Sequence, residues 1–175
     1  MAPEMPEPIP SRLEVSLASR MITQEEYTLL AFDYGEARIG VAVGNTLMKI
    51  AHPLTTISAT GMYPKIDLLA ALITRWQPQR LVVGMPGLPE DYVAAPVSER
   101  ALQQKLQLIN TINNFARRLG RKFNLPVSII NEDFSSAAAS SQLNEQGVYG
   151  REQSGKLDQL AACAILQSYF SDAVR

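Results

Sequence analysis

The sequence predicts an α/β domain on a five-stranded mixed sheet, with elements in the order β-β-β-α-β-α-β-α. Two observations carry this reading. Two apolar runs, Leu29–Phe32 and Ile39–Val43, flank a short turn containing Gly35, which is the pattern of a hairpin. After a third strand-like stretch, segments of helical spacing alternate with short apolar runs, as parallel crossovers with helices on the sheet faces require.

The 175 residues are 46% hydrophobic and 19% charged, which is enough for one domain with a real core. No apolar run approaches the roughly 20 residues of a membrane span, so no membrane partner is expected. No secretory leader pattern is present, and the cytoplasm is the expected compartment. One cysteine, Cys163, and one histidine, His52, exclude an internal disulfide and any cysteine- or histidine-rich metal site. Net charge is −1, but its distribution is uneven. The first 26 residues hold five acids against Arg12 and Arg20, whereas residues 100–130 hold six cations and no acid. That second stretch suits an anionic partner, or is simply a solvated basic face.

Four prolines in "MAPEMPEPIP" predict a disordered or loosely ordered extension over 1–26, leaving 27–175 as the folded domain. Thr28 to Asp33 reads as the first strand and Arg38 to Gly44 as the second. In the second, Ile39, Val41 and Val43 alternate with Gly40, Ala42 and Gly44, and so small a face predicts close approach by another element. "KIAHPLTTIS" reads as a third strand, at an edge because Pro53 cannot donate to a ladder. A helix over Tyr63–Trp76 follows from Ile66, Leu69, Leu72, Ile73 and Trp76. "RLVVG" (80–84) is a buried strand before a proline-rich loop. A long helix from Pro96 to Lys122 has the stripe Leu102, Leu106, Ile109, Ile112, Ala116 and Leu119. "PVSII" (126–130) is the fifth strand, a small helix is expected near Ala137–Glu145, and the last helix is expected over Leu157–Ser171.

Asp33 is the odd residue, a carboxylate ending an apolar strand. Ligands of open sheets bind beyond the carboxyl ends of parallel strands. Asp33 and Glu132 follow the first and fifth strands, and Asp158 falls in the first turn expected for the last helix. Three carboxylates in one cleft call for a cation among them, and hard oxygen ligands suit Mg²⁺ or Mn²⁺. Each acid also has a plain reading: Asp33 as a turn former, Glu132 as a solvated residue, and Asp158 as a complement to the helix dipole.

Four motifs in order then resemble the YqgF/RuvX family. "DYGEARIGVAVGN" resembles its opening signature, with Gly35 and Gly40, and "VVGMP" its Gly-x-Pro loop, with Gly84 and Pro86. "NEDFSS" resembles its acidic motif and "GKLDQLAACAILQSYF" its terminal helix. The resemblance implies a ribonuclease H-like fold and a metal-dependent nuclease with Asp33, Glu132 and Asp158 as catalytic and metal-binding acids. Lys156 matches a basic position, and Arg38, Arg117, Arg118, Arg121 and Lys122 are candidate nucleic-acid contacts. The motif's first acid is Asn131 here and its arginine is Asp133, while the loop after Pro86 reads "GLPEDYVAAP".

The expected function is a Mg²⁺- or Mn²⁺-dependent endonuclease on structured RNA, with the 5′ end of pre-16S rRNA as target and a monomer or homodimer as the acting form. A branched-DNA resolvase and a nucleic-acid-binding relative with weakened catalysis are the alternatives. An actin-like ATPase would need two such domains around the nucleotide, and the chain supplies one.

Overall fold

A computed structural model of the chain describes residues 26–58, 66–87, 98–132 and 150–172. The expected elements appear in the expected order: β1 (Thr28–Tyr34), β2 (Arg38–Asn45), β3 (Ala51–Ser58), α1 (Ile66–Trp76), β4 (Arg80–Pro86), α2 (Glu99–Phe123), β5 (Val127–Glu132) and α3 (Gly150–Asp172). The expected N-terminal extension, the proline-rich loop and the 137–145 helix lie outside the described residues, as does Asp133.

The strands lie in the order β3-β2-β1-β4-β5. β2 is antiparallel to β1 and β3, while β4 is parallel to β1 and β5. This is the ribonuclease H-like meander followed by two parallel crossovers. The β1–β2 turn closes when the Gly35 N–H donates to the Arg38 carbonyl at 2.9 Å. Pro53 sits on β3 at the sheet edge, opposite Ala42, and the β2–β3 register shifts there because proline has no N–H to contribute.

Alternation along the strands makes two cores. Leu30, Phe32, Ile39, Val41, Leu81 and Val83 pack with Leu69 of α1 and with Ile112, Phe115 and Leu119 of α2. On the other face, Leu29, Ala31, Ala42 and Val82 pack with Ala162, Ile165, Leu166 and Phe170 of α3. Cys163 is a partly buried member of that second core. There burial pushes its thiol up to about 11, so it is a small apolar filler rather than a reactive group.

Three boundaries and one apolar stripe depart notably from expectation, each for a physical reason. β5 continues through Asn131 and Glu132, which pair with Met85 and Pro86, so the ladder outlasts the apolar run that marked the strand. β4 likewise extends to Pro86. α3 begins at Gly150, not Leu157. Its first turns, "GREQSGK", have no apolar period to announce them, yet Arg, Glu and Gln propagate a helix well. Asp158 is therefore well inside α3, not in a first turn, and the helix-dipole reading of it fails. Lastly, Leu102 and Leu106 of the expected α2 stripe are 40% and 46% exposed, and Ile66 of α1 is 42% exposed. A helix of 25 residues is about 37 Å long, against about 25 Å for a strand of seven or eight residues. The first turns of α2 overhang the sheet instead of packing on it.

Candidate metal and nucleic-acid site

Sheet register and one missing side chain assemble the site. Asp33 pairs directly with Gly40 across the β1–β2 ladder. It lies on the α3 face, two residues beyond Ala31, which packs against α3. Gly40 has no Cβ, and the backbone of α3 fills the space: a Cβ built there would overlap the carbonyl of Asp158 and lie 2.9 Å from its Cβ. A helix resting on Gly40 thus delivers Asp158 beside Asp33. Thr56 of β3, the partner of Gly40 on its other side, fixes the helix from below. Its hydroxyl donates to the Gly155 carbonyl at 2.7 Å and accepts from Gln159 Nε2 at 3.1 Å. The small-residue face of β2 is therefore the docking surface of α3, as its alternation predicts.

Burial first, and then the neighbouring charge of Asp158, raises the Asp33 carboxyl from 3.8 to about 6. Arg38 shares the Gly40 side of β2, two residues earlier, and its Nε donates to Asp158 Oδ2 at 2.8 Å. The pair opens on a cleft lined by the 34–38 turn, Pro86, Asp158 and, from the overhanging start of α2, Gln104, Lys105, Gln107 and Leu108.

Glu132 ends β5 opposite Pro86. Phe32, Val83 and Ile129 form one row across the sheet, so the Glu132 backbone lies further toward the carboxyl edge than Asp33. It is two strand spacings away, about 10 Å across the sheet. The Glu132 side chain lies outside the described residues, and among the described residues no cluster of three acidic, histidine or cysteine side chains is assembled. What is assembled is the pair Asp33–Asp158. Two crowded carboxylates, one of them raised by burial and by the other's charge, are hard oxygen donors that suit a divalent cation. Asn131 pairs with Met85, whose side chain belongs to the α2-side core, so it lies on the opposite face from Asp33. Its replacement of the motif's acid falls outside this pair.

The basic residues of α2 divide. Arg117 and Arg121 line a shallow groove with Asn110, Asn113, Val127 and Ile129 along β5. Arg118 and Lys122 line the seam between α1 and α2, with Tyr34, Ile66, Leu69 and Phe115. None of the four lines the cleft beside Asp158, and neither does Lys156, which is exposed on α3. The cation of α2 that does line it is Lys105, which the motifs do not single out. Helix phase is the signal: Lys105 lies seven and fourteen residues before Ile112 and Leu119, so it continues the buried stripe of α2 where the helix overhangs the sheet.

A ribonuclease H-like sheet with the Asp33–Asp158 pair at its edge, beside a cleft that Glu36, Arg38 and Lys105 also line, defines the class: an α/β domain with a paired-carboxylate cleft. Comparison narrows it. The family model described as RuvX, Holliday junction resolvase, matches residues 27–172, and the chain belongs to that family. A relative from Methylobacillus flagellatus is 48% identical over 142 residues, covering 81% of this chain and 89% of its own. Another from Nitrosomonas europaea is 40% identical over 150 residues, covering 86% and 93%. Both carry the name "Putative pre-16S rRNA nuclease". Among solved structures, RuvC of T. thermophilus in complex with Holliday junction substrate is 14% identical at a TM-score of 0.43, over 85% of this chain and 96% of that one. That likeness adds nothing to the strand order already described. No helix among the described residues is long and apolar enough to cross a membrane.

Proposed function

We propose that this protein is a divalent-metal-dependent endonuclease that cleaves phosphodiester bonds in structured RNA, processing the 5′ end of pre-16S rRNA in the cytoplasm. The observation that supports this most is the delivery of Asp158 to Asp33 by a helix seated on Gly40. Family membership and the relatives' names supply the reaction and the substrate class. Asp33 and Asp158 would hold the cation, Mg²⁺ or Mn²⁺, and Glu132, at the end of β5, is the third acid that the family motif nominates. When bound, such ions activate water and stabilise the leaving oxygen in phosphodiester cleavage.

The chain's own part is positioning and charge. β1 fixes Asp33 at the strand edge, and the Thr56 clasp and the Gly40 contact fix Asp158. Arg38 and Lys105 flank the cleft where a phosphate would approach, favouring entry of a polyanion. Arg117 and Arg121, in the groove along β5, and Arg118 and Lys122, at the α1–α2 seam, contact the backbone away from the cut and raise affinity without choosing sequence. Lys156 adds a cation near the start of α3.

The family's description favours a second reading, a branched-DNA resolvase using the same acids. The test offers purified protein a transcript spanning the 16S 5′ precursor region and a four-way DNA junction, each with Mg²⁺, with Mn²⁺ or with EDTA. The proposal expects RNA cleavage that requires the cation. Junction cleavage with intact RNA would establish the resolvase instead, and cleavage of neither would overturn both readings.

A further inference from the structure

The Arg38–Asp158 contact sits where metal chemistry is proposed, yet the proposed mechanism does not require it. Arg38 is 43% exposed at its side chain and Asp158 22%, so the pair lies at the cleft wall rather than in the core. Toward Asp158, Nε donates to a single carboxylate oxygen, Oδ2. Asp33, Asp158 and Arg38 together carry a net charge of −1 when both acids are ionised. A divalent cation seated between the two aspartates would stand a few ångströms from the guanidinium, and the two like charges repel across Asp158. A guanidinium bonded to Asp158 Oδ2 also takes up one of that carboxylate's acceptor sites and lowers its attraction for a second cation.

We infer that Arg38 is the resident counter-charge of the Asp33–Asp158 pair: a divalent cation must displace it from Asp158, and the released guanidinium then takes a substrate phosphate. This rests on the reading that the two aspartates hold a metal. The geometry makes the hand-over short. Arg38 begins β2 beside the tight 35–38 turn, and its half-exposed side chain lines the same cleft as Asp158, so only its own side-chain bonds need turn for the fork to face the cleft. A guanidinium suits both partners, because its planar fork matches carboxylate and phosphate oxygens alike. The device would keep two crowded carboxylates compensated in the metal-free protein. It would also make cation binding and nucleic-acid binding reinforce one another, since each favours the released arginine.

Two other roles for Arg38 predict different outcomes. A residue that merely orients Asp158 for the metal would, when removed, weaken metal binding. A surface pair of no consequence would change nothing. Calorimetric titration of Mn²⁺ into wild type, Arg38→Gln and Arg38→Lys, without nucleic acid, separates these. We expect Arg38→Gln to bind Mn²⁺ about five- to tenfold more tightly, the size expected for one half-exposed unit charge a few ångströms away. Arg38→Lys, which keeps the charge, should stay near wild type. Equal or weaker Mn²⁺ binding by Arg38→Gln overturns the inference while leaving the metal site intact. Absence of Mn²⁺ binding by wild type overturns both the inference and the metal reading beneath it. A second arm measures affinity for the precursor RNA fragment in EDTA and in Ca²⁺. Arg38→Gln should lose severalfold more affinity in Ca²⁺ than in EDTA, because only the cation-bound protein offers a released arginine. An equal loss in the two conditions overturns the hand-over.

Discussion

Replacing Asp33 with asparagine should make the metal-free protein more stable at neutral pH, which is the reverse of what removing a buried polar contact usually does. Folding raises this carboxyl from 3.8 to about 6 by burial and by the charge of Asp158. The folded state therefore binds a proton more tightly than the unfolded chain, and stability falls as pH rises through the window between those two values. Above pH 6 the full difference opposes folding, about 3 kcal/mol at 1.36 kcal/mol per pH unit. The amide keeps the shape of the carboxylate and carries no charge, so in EDTA at pH 7.5 Asp33→Asn should gain up to about 3 kcal/mol. For a chain of this size that is about 6–12 °C in melting temperature. At pH 4 the gain should shrink toward zero, since the native carboxyl is then protonated. The assay is thermal melting of both proteins from pH 4 to 8, in EDTA and in excess Mn²⁺. Mn²⁺ should raise the wild-type melting point by mass action and the variant's far less. An Asp33→Asn protein that melts lower than wild type at pH 7.5 in EDTA, with no pH dependence in the difference, would show that Asp33 is a hydrogen-bonded turn former and refute the crowded pair.

Three further outcomes follow from the packing. Gly40→Ala places a Cβ on the backbone of Asp158, so melting should show a loss of several kcal/mol and the variant should lose Mn²⁺ stabilisation, because α3 must lift away. Thr56→Val removes both bonds of the clasp and leaves the Gly155 carbonyl without that donor; a loss of about 1–3 kcal/mol by denaturant unfolding is expected, largely recovered by Thr56→Ser. Changing Arg117 and Arg121 to alanine should lower the slope of log affinity against log salt by about 1.4–1.8 while sparing metal binding, and an unchanged slope would assign the β5 groove to solvent alone.

How much is legible in the sequence differs between the fold and the site. The hairpin and the alternating second half announce themselves because strand burial and helix phase write distinct periods into the chain. The Gly40–Ala42–Gly44 face even announces that something approaches β2 closely. It does not say that the approaching backbone is that of Asp158, because this depends on the register of β1 against β2 and on where along α3 the contact falls. The start of α3 is silent in the sequence, since its first turns are polar and carry no apolar period. Starting the helix at Leu157 puts Asp158 in a first turn and lends the dipole reading a plausibility that the structure removes. The basic stretch of α2 is visible as composition, whereas its division among a groove, a seam and a cleft depends on the angle at which a long helix crosses a shorter sheet. Lys105 is hidden for the same reason: a lysine on an apolar stripe means something only once the sheet is known to end beneath it.

A metal-dependent cleavage site formed by Asp33 and Asp158 together needs both carboxylates. Single-turnover cleavage of the 16S 5′ precursor transcript across a Mn²⁺ titration, with wild type, Asp33→Asn and Asp158→Asn, tests it most directly. The expected result is cleavage by wild type that saturates with Mn²⁺ and vanishes in EDTA, and cleavage lost in both variants although both remain folded. Wild-type rates and an unchanged Mn²⁺ dependence in either variant would contradict it.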